Sequence, residues 1–88
     1  MGKVIAELHI MPVDVDVDFV QVIEKIKGVM PASADFKDSK IVPIAYGLKK
    51  AILSVIIDDV EGGTQTVEDA IATVPGVEQV KVERVTLL

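Results

Sequence analysis

Leu48-Lys49-Lys50-Ala51-Ile52-Leu53-Ser54-Val55-Ile56-Ile57 is the stretch on which the fold turns. Ala51, Leu53, Val55 and Ile57 share one face of an extended chain, and the rest of the run is nearly all apolar or β-branched as well. A strand that is apolar on both faces belongs in the middle of a sheet.

Beyond it toward the C-terminus, Asp58-Asp59 and Gly62-Gly63 predict a turn, with Thr64 placed to cap a helix. Val67, Ala70, Ile71 and Val74 then fall at i, i+3, i+4 and i+7, one apolar helical stripe. Pro75-Gly76 ends it, and Val77 to Val85 predicts a last strand. Val80 and Val82 share a phase there while Val85 is out of step, so a bulge is expected near Glu83-Arg84.

Toward the N-terminus, residues 34–42 are polar and broken in pattern, which predicts an edge strand or an irregular segment. Phe19, Val22, Ile23 and Ile26 form a second helical stripe, with an aspartate before it as N-cap, Gly28 past its end and Pro31 beyond. Val4, Ala6, Leu8 and Ile10 alternate with Ile5, Glu7, His9 and Met11 in a first, half-buried strand that Pro12 stops. The order is strand, helix, strand, strand, helix, strand. It predicts an α+β, ferredoxin-like βαββαβ sandwich: a four-stranded antiparallel sheet with both helices on one face. Residues 1–88 read as one domain with no linker, and the likeness of the two halves is the pseudo-symmetry of that fold.

Half of the residues are apolar but only three are aromatic, so the core is expected to consist of Val, Ile, Leu and Ala. With no cysteine there is no disulfide framework, thiolate metal site or thiol nucleophile, and a cytoplasmic setting is expected. No signal segment opens the chain, and no apolar run approaches the ~20 residues of a membrane span. A net charge of −5 lacks the basic surplus with which nucleic-acid binders neutralise phosphates. A protein partner fits better.

The residues that could carry catalysis are few. His9 is the only histidine, shares a strand face with Glu7, and has no serine or cysteine partner in view, which predicts an exposed surface residue. Asp14, Asp16 and Asp18 spell D-x-D-x-D, but an EF-hand calcium loop starting at Asp14 needs Gly and Glu where Phe19 and Lys25 stand. They are expected to complement a helix N-terminus instead. Gly62-Gly63-Thr64 reads as a turn before a helix rather than an anion cradle. No enzymatic role, cofactor or metal is expected.

Val42-Pro43-Ile44-Ala45-Tyr46-Gly47-Leu48-Lys49-Lys50 stands apart. Pro43 and Gly47 bracket a short apolar connection carrying the chain's only tyrosine. Tyr46 reads equally well as an exposed interface anchor or as a ring folded back over one end of the sandwich.

This segment resembles the signature Pro-Ile-[Ala/Gly]-[Phe/Tyr]-Gly-[Leu/Ile] of the nucleotide-exchange domain of elongation factor 1-beta. Met1-Gly2-Lys3-Val4 to Met11-Pro12, Glu61-Gly62-Gly63-Thr64 and the chain length are similar to its archaeal members. The resemblance covers essentially the whole chain. It implies a ferredoxin-like fold and a partner, the GTPase elongation factor 1-alpha, whose GDP release is accelerated. Tyr46 stands where eukaryotic members have a phenylalanine that enters a pocket on the GTPase, and Pro43, Ile44, Ala45 and Gly47 match the residues of that loop. The family also places a lysine just before the C-terminus to disturb the magnesium and phosphate site. Leu87 stands there instead, next to Leu88, so that role does not carry over; Arg84 and Lys81 are the nearest cations. Eukaryotic relatives carry N-terminal regions that dock a further subunit, and this chain is expected to act without it.

An exchange factor needs no reactive group, which suits this composition. An ACT-like small-molecule-sensing regulatory domain shares the same element order and is the alternative. An acylphosphatase needs an arginine in the loop after the first strand, and none lies between Met11 and Asp18.

Overall fold

The computed structural model describes residues 2–60 and 62–88, so Met1 and Glu61 of the motifs above lie outside the described residues. The elements are β1 (Lys3–Pro12), α1 (Phe19–Val29), β2 (Ala34–Pro43), β3 (Lys49–Asp58), α2 (Gly63–Ala72) and β4 (Val77–Leu87). They form the expected βαββαβ sandwich. One antiparallel sheet has the order β2-β3-β1-β4, which places the two most apolar strands in the centre.

Val4, Ala6, Leu8 and Ile10 of β1 and Ala51, Leu53, Val55 and Ile57 of β3 point to the same side and are buried. Phe19, Val22, Ile23 and Ile26 of α1, with Val67 and Ile71 of α2, close over them. Each of these large apolar side chains contributes about 1.5–3 kcal/mol when fully removed from water. Among the described residues, no helix covers the opposite face of the sheet.

Asp18 caps α1, its Oδ1 accepting the Val20 N–H at 3.0 Å. Gly28, expected past the helix end, lies inside its last turn. The stop comes from Pro31, because the residue before a proline is driven out of the helical region and Met30 is extended with ψ 130°. Thr64 does not cap α2. Gly62 takes that place in the left-handed region at φ 80°, and the helix starts one residue before Thr64, at Gly63. A Cβ on Gly63 would sit 3.3 Å from the Asp58 carbonyl oxygen, so the paired glycines serve a tight approach to β3. Val74 lies beyond the helix yet is buried, because its N–H bonds to the Ile71 carbonyl at 3.0 Å and winds one more tight turn.

Residues 34–43 form a regular edge strand interrupted at Lys37, where the pairing with β3 shifts between Phe36 and Asp38. On the other edge, β4 pairs Arg84 with Glu7 but Val82 with Leu8, leaving Glu83 as the extra residue of a bulge. Val85, opposite Ala6, thereby returns to the helix side.

Candidate functional site

The β2–β3 connection is a tight hairpin. The Leu48 N–H bonds to the Ala45 carbonyl at 2.9 Å and the Ile44 N–H to the Leu48 carbonyl at 2.8 Å. Tyr46 (φ 54°) and Gly47 (φ 81°) are the two central residues, both with positive φ, as in a type I′ turn. Gly47 adopts this freely, whereas the left-handed region costs a residue with a Cβ about 1–2 kcal/mol. Tyr46 is the only non-glycine with positive φ among the described residues. Its side chain gains nothing from the core, being 99% exposed. The ring therefore does not fold over the sandwich; it projects from the hairpin tip with Ile44 and Ala45 exposed beside it. Pro43 ends β2 opposite Lys49, and an edge strand tolerates a residue without an N–H.

The C-terminal end of β4 makes a second exposed apolar surface. Leu87 pairs with Val4, and the Leu88 N–H bonds to the Lys3 carbonyl at 3.0 Å, so the last residues are tied to β1. Val85 and Leu87 follow the core-facing phase, but neither helix covers them, and Leu87 is 69% exposed. Arg84 faces the helix-free side opposite Glu7, and Lys81 is held by Glu83 at 3.2 Å. Val85 is absent from the sequence-derived site. Its signal was the bulge itself, which turns a valine toward a part of the sheet that no helical stripe reaches.

These groups are not one pocket. The hairpin tip lies beyond the Ile10–Ala51 pair and Leu87 lies at Val4, at opposite ends of a molecule 42 Å long. Eight residues of extended strand separate them, roughly 25–30 Å.

His9 departs from the expected exposed surface residue. Its side chain is largely covered between Ile52 and Lys81 on the neighbouring strands, and its Nε2–H donates to Glu7 Oε2 at 3.1 Å. That hydrogen bond is the main cause holding the Glu7 carboxyl below its ordinary value, helped by the charges of His9, Arg84 and Lys40 and opposed by desolvation. Asp14 Oδ1 accepts the Asp16 N–H at 2.8 Å, closing the turn that leads to the Asp18 cap. The Asp14 and Asp18 carboxylates thus organise the entry to α1, while Asp16 takes part through its backbone N–H.

Comparison with known proteins places this geometry in context. A family model described as the EF-1 guanine nucleotide exchange domain matches residues 5–88. The elongation factor 1-beta of Methanosarcina barkeri is 51% identical to this chain over 83 residues, 93% of each. That of Archaeoglobus fulgidus is 43% identical across the whole of both chains. That of Methanobrevibacter smithii is 43% identical over 82 residues, 93% of this chain and 92% of its own.

Proposed function

The chain belongs to the family of EF-1 guanine nucleotide exchange domains, a membership that supports a nucleotide-exchange role in translation elongation, and we propose that residues 1–88 act as one such domain on elongation factor 1-alpha, promoting GDP release. The observation that carries this reading is Tyr46: an aromatic ring held clear of the core on a backbone conformation that is costly for it. Such strain persists where the surrounding structure imposes it, and here its consequence is presentation of the ring.

The mechanism is linkage. If the domain binds the nucleotide-free GTPase more tightly than the GDP-bound form, GDP binds the complex more weakly by the same factor. A thousandfold loss of GDP affinity needs about 4 kcal/mol of differential binding, which one or two well-buried anchors can supply. Tyr46 is the anchor, shaped by Pro43, Ile44, Ala45 and Gly47. Leu87 and Leu88, joined by Val85, make apolar contact at the other end, and Arg84 supplies the cation there. The proposed setting is the cytoplasm; among the described residues no helix is long and apolar enough to cross a membrane.

Catalytic amounts of the chain should accelerate release of a fluorescent GDP from the cognate elongation factor 1-alpha. A release rate unchanged at saturating protein would overturn the proposal.

A further inference from the structure

Both edges of the sheet are open. β2 and β4 lie at the ends of the strand order, so among the described residues the outer side of each has no neighbouring strand. Across the hairpin the Ile44 N–H bonds to the Leu48 carbonyl, and the alternation of an antiparallel ladder turns the backbone groups of Pro43, Ile41 and Ser39 away from β3. Pro43 has no N–H to leave open. Ile41 and Ser39 present theirs, with their carbonyls, as a template for a further strand. Ile41 is also 39% exposed, although it stands opposite the buried Ala51 on the helix side.

The sequence along the β2 edge is Asp35-Phe36-Lys37-Asp38-Ser39-Lys40. Laid against its own reverse, it sets a lysine opposite each aspartate and an aspartate opposite each lysine. Two antiparallel β2 strands from two copies meet in this way: Asp35 falls opposite Lys40 of the second copy, and Lys37 opposite its Asp38. In a regular strand this register fails, because Asp35 and Lys40, an odd number of residues apart, point to opposite faces. The extra residue at Lys37 removes the conflict. Ala34 and Phe36 stand opposite Ile57 and Val55, and Ser39 and Ile41 opposite Leu53 and Ala51, all four of which are buried on the helix side. Asp35 and Lys40 therefore share the helix-free face, opposite Ile56 and Ile52. Both are exposed, and no ion pair engages either of them, or Lys37 or Asp38, among the described residues. The other edge lacks this match. The β4 bulge puts Lys81 and Arg84 on one face, opposite His9 and Glu7, and the equivalent register sets each lysine against an arginine.

We propose that β2 pairs antiparallel with β2 of a second copy of this chain, joining the two sheets into one with all helices on the same side. The two-fold axis passes through the sheet between Lys37 and Asp38. On the helix side Ile41 meets Ala34 of the second copy and Ser39 meets its Phe36, so each open edge covers the other. On the helix-free face two Asp35–Lys40 pairs close the contact. Charges and a bulge on an edge keep foreign strands away. A strand with the complementary charges and the same bulge escapes that exclusion, and the chain's own β2 is such a strand. β4 lies on the far edge and the Tyr46 hairpin extends past the paired strands, so this inference is independent of the exchange reading.

An interface of one strand per copy is small, so the dimer should appear at concentrations on the order of 100 µM, measured by sedimentation velocity over a dilution series. Asp35→Lys opposes two cations at each pair, and Lys40→Asp opposes two anions. Each variant alone should associate roughly tenfold more weakly than the unaltered chain, or worse. An equimolar mixture of the two should recover the unaltered strength within about threefold, because every pair in the mixed dimer is again of opposite sign. Both positions are exposed, and thermal melts should confirm that both variants fold. Ser39→Pro removes an outward N–H without touching a charge, and should abolish the dimer in a chain that still folds. A folded Ser39→Pro chain that dimerises means that the copies meet by another surface, and overturns the proposal. An unaltered chain that stays monomeric to about 1 mM overturns it, as does a mixture no tighter than its components. If the monomeric chain loses affinity for elongation factor 1-alpha on Asp35→Lys, the edge belongs to a strand of that protein and the second copy is the wrong occupant.

Discussion

At Tyr46 the chain tolerates a local cost for which the folded domain shows no return. The ring touches no core residue, and the left-handed backbone disfavours it by about 1–2 kcal/mol relative to glycine. Tyr46→Gly removes that strain but loosens the unfolded chain, an opposing effect of about 0.5–1 kcal/mol. The melting temperature should therefore hold or rise by up to about 5 °C, because 1 kcal/mol moves a domain of this size by several degrees. Binding to elongation factor 1-alpha should fall by about 2 kcal/mol or more, as for an aromatic anchor, while Tyr46→Phe keeps both properties. A clear drop in melting temperature for Tyr46→Gly would mean that the ring supports the fold.

At the scale of elements, the Glu83 bulge makes the sharpest distinction between folding and function. Removing Glu83 leaves Val82 opposite Leu8 and lets Arg84 follow it directly opposite Glu7, so the ladder becomes regular and every later side chain keeps its face. The deletion should fold with a melting temperature within a few degrees of the unaltered chain. What changes is local twist, and with it the aim of Val85, Leu87 and Leu88. GDP release should slow, and an unchanged rate would show that the bulge has no part in exchange. Most of this architecture was legible in the sequence because it rests on period. The stripe Phe19, Val22, Ile23, Ile26 and the alternation Val4, Ala6, Leu8, Ile10 each have one way to be buried, and the broken phase of Val85 revealed the bulge. The misread boundaries were set by backbone geometry. Pro31 acted through Met30, and Gly62 took a left-handed cap that no side-chain pattern announces. At the candidate site the sequence singled out Tyr46 as the one tyrosine of a short apolar loop but left exposure and folding-back equally open; the left-handed backbone and the exposed ring decide between them. The contrast within β2 between buried Ala34 and exposed Ile41 was not legible, since it depends on how far two helices reach across four strands.

The whole molecule is an elongated bar, 42 Å long, with the two proposed contact surfaces at its ends. Four continuous strands connect the ends, and the hairpin and the β4 terminus share no side chain. Substitutions separated by more than about 7–10 Å with no common partner act additively, and these are roughly 25–30 Å apart. Tyr46→Ala and Leu87→Ala should therefore sum within about 0.5 kcal/mol in their effect on affinity for nucleotide-free elongation factor 1-alpha. Exchange differs, because it depends on what each end does to the GDP-bound form relative to the empty one. If the hairpin chiefly anchors and the β4 end chiefly disturbs the nucleotide site, Tyr46→Ala raises the concentration needed for half-maximal release with little change in the maximal rate. Leu87→Ala lowers the maximal rate with a smaller effect on that concentration, and the double variant shows both. The measurement is a titration of GDP release for the four proteins of the cycle, beside their equilibrium affinities. Coupling well above 0.5 kcal/mol in affinity, or identical kinetic profiles for the two single variants, would mean that the ends grip one mobile part of the GTPase and that the division of labour along the sheet is wrong.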